Sequence, residues 1–197
     1  MFYDLPTSVE IGGAEWPIRS DFRAALDIVQ VMGDPELDDG DRTQLSLEFF
    51  LEDWVEVADI GPVLHTWEEV AFGPRGNLEE AIERLFWFIR GGKEEESVRK
   101  PRLMDWEQDF QLIAPPVNRV LGFECREAPY LPWWSFLAAY YEIGDCLFAQ
   151  VVSIRKKRAL GKRLDKSDKA FAKENADIVN LKVRRTSSEE AVIDDWI

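Results

Sequence analysis

Asp105 and Asp109 lie four residues apart with Glu107 between them, and a helix beginning at Asp105 puts both aspartates on one face. That spacing suits general acid and base work, or the holding of a magnesium ion. Assigning the two roles takes a further group that drives one pKa away from the other, and no histidine, lysine or second carboxylate set stands at readable spacing. The pair reads as the solvated start of a helix, its charge favoured by the helix dipole. His65 is the single histidine, set between Leu64 and Thr66, and a lone histidine reads as structural. Cys125 and Cys146 are far apart and have no CxxC spacing, which marks them as reduced packing residues rather than zinc ligands or a redox pair. No GxSxG, GxxxxGK[ST] or GxGxxG occurs in the chain. No catalytic residue, metal ligand or cofactor site is therefore expected, and the chain reads as a non-enzymatic protein.

Binding is the better prospect. Residues 129–136 read PYLPWWSF, and the basic run Ser153 to Lys169 contains Arg155, Lys156, Lys157 and Arg158 in succession. Neighbours on a helix point about 100° apart, so Trp133 and Trp134 are not expected to face the same partner. One should anchor the core, and the other, with Tyr130 and Tyr141, should border a contact surface. Four adjacent cations suit phosphates, with an affinity that falls steeply as salt rises. Stacking aromatics are missing there apart from Phe171, however, and no groove-reading motif is present. The run is better suited to acidic protein surface, and nucleic-acid binding through residues 155–185 is the alternative function.

The elements that carry these residues follow from local pattern. SVEIGGAEWPI alternates apolar and polar residues around Gly12-Gly13, a hairpin signature over about Ser8 to Ile18. Ser20 is expected to cap a helix with its apolar stripe at Phe22, Leu26, Val29 and Met32, ended by Gly33-Asp34-Pro35. A second, buried helix is expected over Arg42 to Val57. Asn77 and Glu80 suggest a capping box before LEEAIERLFWFIR, which Gly91-Gly92 closes. The segment 58–76, with His65, Trp67 and Phe72, gives no clear pattern, and Lys93 to Lys100 looks like a charged connector. A helix from Asp105 should break at Ala114-Pro115-Pro116, because proline lacks the amide donor and disfavours helix in the residue before it. From Pro132 a helix buried on most of its circumference runs toward Gly144, and Leu147 to Ile154 resumes the pattern. The fold class is mainly α, a helical domain with a small N-terminal β-hairpin.

Composition sets the remaining bounds. In 197 residues, 46% hydrophobic and 12% aromatic content argue for a packed core, and no apolar run reaches the roughly 18 residues of a membrane span. The start MFYDLPTSVE has neither the basic nor the apolar region of a secretory signal, so a cytoplasmic location is expected. Residues 1–150 hold 12 Lys and Arg against 30 Asp and Glu, whereas Arg155 to Arg185 holds 12 against 4. This asymmetry suggests an acidic helical domain over 1–154, a basic helical extension with an acidic end over 155–197, and self-association between them.

The order of LPTSVEIGGAEWPIRSDFRAAL, EEAIERLFWFIRGG, MDWEQDFQLI, and PWWSFLAAYYEIGD followed by VVSIRKKR resembles the bacteriophage gene-product-fifteen family of tailed phages that infect Gram-positive bacteria. The resemblance covers roughly Tyr3 to Lys166. It implies a protein encoded beside the tape-measure gene that acts as a tail assembly chaperone: it would coat the tape measure protein, help recruit tail tube protein, work in the host cytoplasm and leave before the virion is finished. No catalytic residue is carried over with it.

Overall fold

A computed structural model describes residues 4–52, 78–94 and 101–182. The capping box at Asn77, the unclear segment 58–76, most of the connector and the acidic end beyond 182 lie outside the described residues. Among them the protein is mainly helical, with one two-stranded antiparallel hairpin. The chain divides into two compact units. One holds residues 1–94, 132–134 and 184–197, and the other holds 95–131 and 135–183.

The first unit starts with β1 (Ser8–Ile11) and β2 (Ala14–Pro17), paired with Val9 opposite Trp16 and Ile11 opposite Ala14. Gly12 and Gly13 have φ of 62° and 78°, the positive pair that a two-residue turn of right-handed twist requires. Ile18 then bridges to Leu51, and both are fully buried. Helix α1 (Phe22–Met32) is capped by Asp21, whose carboxylate accepts from the Arg23 amide; Ser20 sits one residue too early and is buried. The face of α1 in the core is Phe22, Ala25 and Ile28, offset from the stripe that size alone suggested, because Ala25 allows the close approach of α2 (Asp39–Phe50). Asp38 caps α2. The Arg19 guanidinium reaches the opposite end of α2 and donates to the carbonyls of Glu48, Leu51 (2.6 Å) and Glu52 (3.1 Å), a cation where helix carbonyls lack amide partners. That helix stops at Phe50, short of the expected Val57, because Leu51 turns extended to pair with Ile18.

Helix α3 (Leu78–Ile89) presents Ala81, Leu85 and Phe88 to the same core, with Phe88 against Phe50 at a ring separation of 5.3 Å. Its outer edge holds the hairpin. The Gly12 amide donates to Glu80 (2.8 Å), and Arg84 Nε donates to the Glu10 carbonyl (3.1 Å).

In the second unit, α4 (Trp106–Leu121) is capped by Asp105, which accepts from the amides of Glu107 (3.0 Å) and Gln108 (2.9 Å). The helix does not break at the prolines. It runs through Pro115 and Pro116 to Gly122, whose φ of 79° closes it. Two amide donors are lost, yet Ile113, Ala114, Pro116 and Val117 are all buried together. Burying a large apolar side chain contributes about 1.5–3 kcal/mol, and that offsets the missing bonds here.

Helix α5 (Trp133–Tyr141) takes its first two residues from the first unit's chain segment and continues in the second, burying Phe136, Leu137 and Ala139. Helix α6 (Leu147–Ala159) is capped by the Cys146 sulfur, which accepts from Ala149 N at 3.4 Å. Helices α7 (Lys166–Glu174) and α8 (Ala176–Val179) follow. Val151, Ile154, Ala172 and Val179 form a small core there, with Leu112, Leu164, Phe171 and Ile178 packed on it.

Candidate partner-binding surface

The two tryptophans of α5 both spend their polar atoms inside the first unit. Trp133 is 1% exposed and its Nε1 donates to the Ile89 carbonyl at 3.0 Å; Trp134 is half-buried and its Nε1 donates to the Phe88 carbonyl at 2.9 Å. Adjacent residues therefore do meet one partner, contrary to the expectation from their angular offset. The acceptors are themselves successive carbonyls at the end of α3, where the helix offers no amides, and indoles are long enough to reach both. The α5 start is further tied by Trp133 N donating to Ser20 O (2.8 Å) and by the bridge between Asp21 and Pro132. Trp134 packs edge-on against Trp87 at 4.9 Å and lies over Gly92, where a Cβ would meet the indole at 2.8 Å. Of the pair, Trp133 is the core anchor.

In the second unit the cation run divides. Arg155 is buried and is not part of a surface. Its Nε donates to Val179 O (2.9 Å), Nη1 to Leu103 O (3.0 Å) and Asp109 Oδ2 (2.6 Å), and Nη2 to Asp109 Oδ1 (2.9 Å) and Ile178 O (2.7 Å). All the N–H groups of the guanidinium are thus used. Asp109 also accepts from the Asp105 amide at 2.9 Å. Neither aspartate is a solvated helix start: Asp105 caps α4 and Asp109 pairs with the buried Arg155. Among the described residues no cluster of three metal-ligating side chains occurs.

The other three cations are placed outward. Lys156 and Arg158 are exposed, and Arg158 donates to Asn180 Oδ1 at 2.8 Å. Lys157 pairs with Asp168 at 2.5 Å, and that hydrogen bond pushes the lysine pKa up.

Most of the large exposed apolar and aromatic side chains among the described residues belong to the second unit. Tyr130 is 52% exposed and Tyr141 57%. Val120 and Phe123 at the end of α4, which the sequence patterns did not single out, are exposed as well, and so is Leu147 at the start of α6, which the pattern had placed on an apolar helix stripe. Arg119 donates to the Ile143 carbonyl at 2.8 Å, which sets the end of α4 beside the turn between α5 and α6; Val120 and Phe123 follow Arg119 in sequence, and Tyr141 and Leu147 lie to either side of Ile143 in sequence. The apolar residues beside the helix-closing Gly122 were the available signal for Val120 and Phe123, since a glycine end leaves its neighbours on the surface. Tyr140 packs at a tilt against Trp106 (4.9 Å) and Phe148 (6.0 Å), and its hydroxyl meets the Met104 sulfur at 3.0 Å. Burial pushes its pKa up to about 12, so it is a neutral packing group.

The eight sequence-predicted contact residues thus fall in two places. Trp133 and Trp134 serve the first unit, and Tyr130, Tyr141, Lys156, Lys157 and Arg158 lie on the second, with Arg155 in its core. Cys125 and Cys146 are both free thiols. No helix among the described residues is long and apolar enough to cross a membrane. The family model described as Bacteriophage Gp15 protein matches residues 2–181. No curated protein and no solved structure matches the chain.

Proposed function

This chain belongs to the Bacteriophage Gp15 protein family, and from that premise we propose that it is a non-catalytic tail assembly chaperone that binds the tape measure protein and assists assembly of the tail tube. The observation that carries the proposal is the exposure of Val120, Phe123, Tyr130, Tyr141 and Leu147 on the second unit, in a chain whose net charge is −14. A chaperone for an aggregation-prone helical partner needs apolar contact residues to cover the partner's apolar face, and charge to keep the complex dispersed. Both are supplied by the same small protein. The tail tube protein is a second partner in this proposal, and the work is done in the host cytoplasm before the protein leaves the finished particle.

Coexpression with the adjacent tape-measure gene tests the proposal. The tape measure protein should move from the pellet to the soluble fraction and copurify with the chain. A tape measure that stays insoluble at equal expression would overturn it.

Nucleic-acid binding through residues 155–185 is supported by the exposed Lys156 and Arg158. It is weakened by the withdrawal of Arg155 into the core and of Lys157 into its pair with Asp168. Electrophoretic titration at two salt concentrations separates the two readings, because phosphate contacts lose affinity steeply as salt rises.

A further inference from the structure

In the first unit, α1, α2 and α3 border a cavity of about 400 Å³ that opens to the surface. Met32 of α1, Leu47 of α2, and Ile82, Leu85 and Phe86 of α3 make its apolar wall. Its polar lining is engaged within the chain: Arg42 donates to Asp34 O (2.8 and 2.9 Å) and Asp39 (3.0 Å), and Thr43 donates to Asp39 O (2.7 Å). The Ser46 hydroxyl lies beneath the surface, out of reach of an occupant. What the cavity offers is therefore apolar contact. Its surroundings add negative charge. Asp38, Asp39 and Asp41 are exposed at the start of α2, and Glu79 and Glu83 are exposed on α3, three residues before the lining side chains Ile82 and Phe86 and so beside them on the helix. Two cations offset part of this: Arg42, which is paired with Asp39, and Arg90, which lies over the Phe86 ring at 5.2 Å. The matching occupant is an apolar side chain with positive charge around it.

The chain carries such a side chain itself. Leu160 follows the last turn of α6 and is 51% exposed; within residues 153–173, all of them described, it is the one large apolar side chain so exposed. Gly161, at a φ of 65°, turns the backbone directly after it, and the exposed Arg158, Lys162 and Arg163 stand on either side in sequence. We propose that Leu160 of one copy enters the α1–α2–α3 cavity of a second copy, its flanking cations set against the carboxylates beside the cavity. Exposed ion pairs contribute little individually, so the leucine is the anchor, and the charges set orientation and salt dependence. The two surfaces differ, which makes the contact head-to-tail. The proposal stands whether or not the chain is a tail assembly chaperone.

Sedimentation velocity of the full chain at low salt reads the contact, and the wild type should self-associate as its concentration rises. Leu160→Ser leaves every charge in place and, on an exposed turn, should leave the melting temperature nearly unchanged. It should raise the dissociation constant by roughly 10- to 100-fold, the range for burying one leucine, whereas Leu160→Met should keep most of the association. The Leu160→Ser chain still has an intact cavity, so with its methyl groups labelled for NMR it reports the seat of the leucine. Adding unlabelled wild-type chain should shift the methyl signals of Met32, Ile82 and Leu85, and adding unlabelled Leu160→Ser should not. The proposal is overturned if the wild type stays monomeric, if Leu160→Ser associates as tightly as the wild type, or if the wild-type chain binds without moving those three signals.

Discussion

Arg155 of α6 and Asp109 of α4 form a two-pronged ion pair, 2.6 and 2.9 Å, in which the arginine is 5% exposed and the aspartate 1%. The same guanidinium bonds the carbonyls of Leu103, Ile178 and Val179, so one side chain joins the start of α4, the middle of α6 and the final short helix α8. Gln108 adds to the join by donating to Asn180 O (2.8 Å) and accepting from Lys182 N (2.9 Å).

Removing one charge of such a pair leaves the other buried and alone. Arg155→Met should therefore cost about 3–5 kcal/mol of stability. The double variant Arg155→Met with Asp109→Leu should recover much of that loss, because no lone charge remains. Chemical denaturation of the three proteins checks both statements. Equal stability of the wild-type and Arg155→Met proteins would remove the pair from any structural role. Arg155→Lys should not rescue, since an ammonium offers three donors and no flat fork.

The tryptophan pair predicts unequal losses. Trp133→Ala empties a fully buried site and should cost about 3–5 kcal/mol. Trp134→Ala gives up a half-buried ring and one bond to the end of α3, and should cost less. Gly92→Ala offers an independent check on Trp134: φ at Gly92 is +77°, and the added Cβ would lie 2.8 Å from the indole. In the Trp134→Ala background the steric part of that penalty disappears and only the backbone part stays, so the two substitutions should be non-additive. Strict additivity in thermal unfolding would contradict the packing described.

Glu124 gives a pH dependence with a definite sign. Bonding to Arg126 (2.7 and 3.0 Å), and to Asn118 (2.7 Å), holds its carboxyl down at about 2, below the ordinary value of 4.5. A depressed folded pKa means that the group stabilises the fold fully above pH 4.5 and loses that contribution as pH falls toward 2. Denaturation midpoints of the wild type and Glu124→Gln should differ by a constant amount from pH 7 to about 5 and converge below that. A difference that is flat down to pH 2 would mean that the carboxylate is not held by Arg126.

Much of the fold was legible in local chemistry, and the misses share a cause. The hairpin followed from Gly12-Gly13, and the end of α3 from Gly91-Gly92, because positive φ leaves few residue choices. Pro115 and Pro116 misled, since the rule against proline in helices concerns local bonding and cannot include the burial of Ile113, Ala114 and Val117 around them. Arg155 misled in the same way. Four cations in a row look like a solvated face, and only the helical phase of Ile154 and Val151 beside it, together with Asp109 some 46 residues earlier, turns one of them inward. At the candidate surface, Tyr130 and Tyr141 were accessible to pattern, whereas Phe123 and Leu147 depend on how α4 meets the α5 to α6 turn. That is a tertiary fact.

With Arg155 neutralised inside the second unit, the outward basic face consists of Lys156, Arg158, Lys162, Arg163, Lys166, Lys169 and Lys173, all exposed. Residues 1–150 carry 30 acidic against 12 basic side chains. Two copies of the chain can therefore attract one another, basic face to acidic face, and such a contact is head-to-tail and open to further addition. Exposed charges act over about 30 Å at 0.01 M salt and about 3 Å at 1 M. Sedimentation velocity should show oligomers at the lower ionic strength that dissociate at the higher. Charge reversal of Lys162 and Arg163 to glutamate should weaken the oligomers at low salt and leave the melting temperature nearly unchanged, because neither side chain is packed. Oligomers that grow stronger with salt would point instead to exposed apolar residues such as Val120, Phe123, Tyr141 and Leu147 as the contact, since burial of apolar surface is not screened. A monomer at both salt concentrations would leave the charge asymmetry to a partner other than the chain itself.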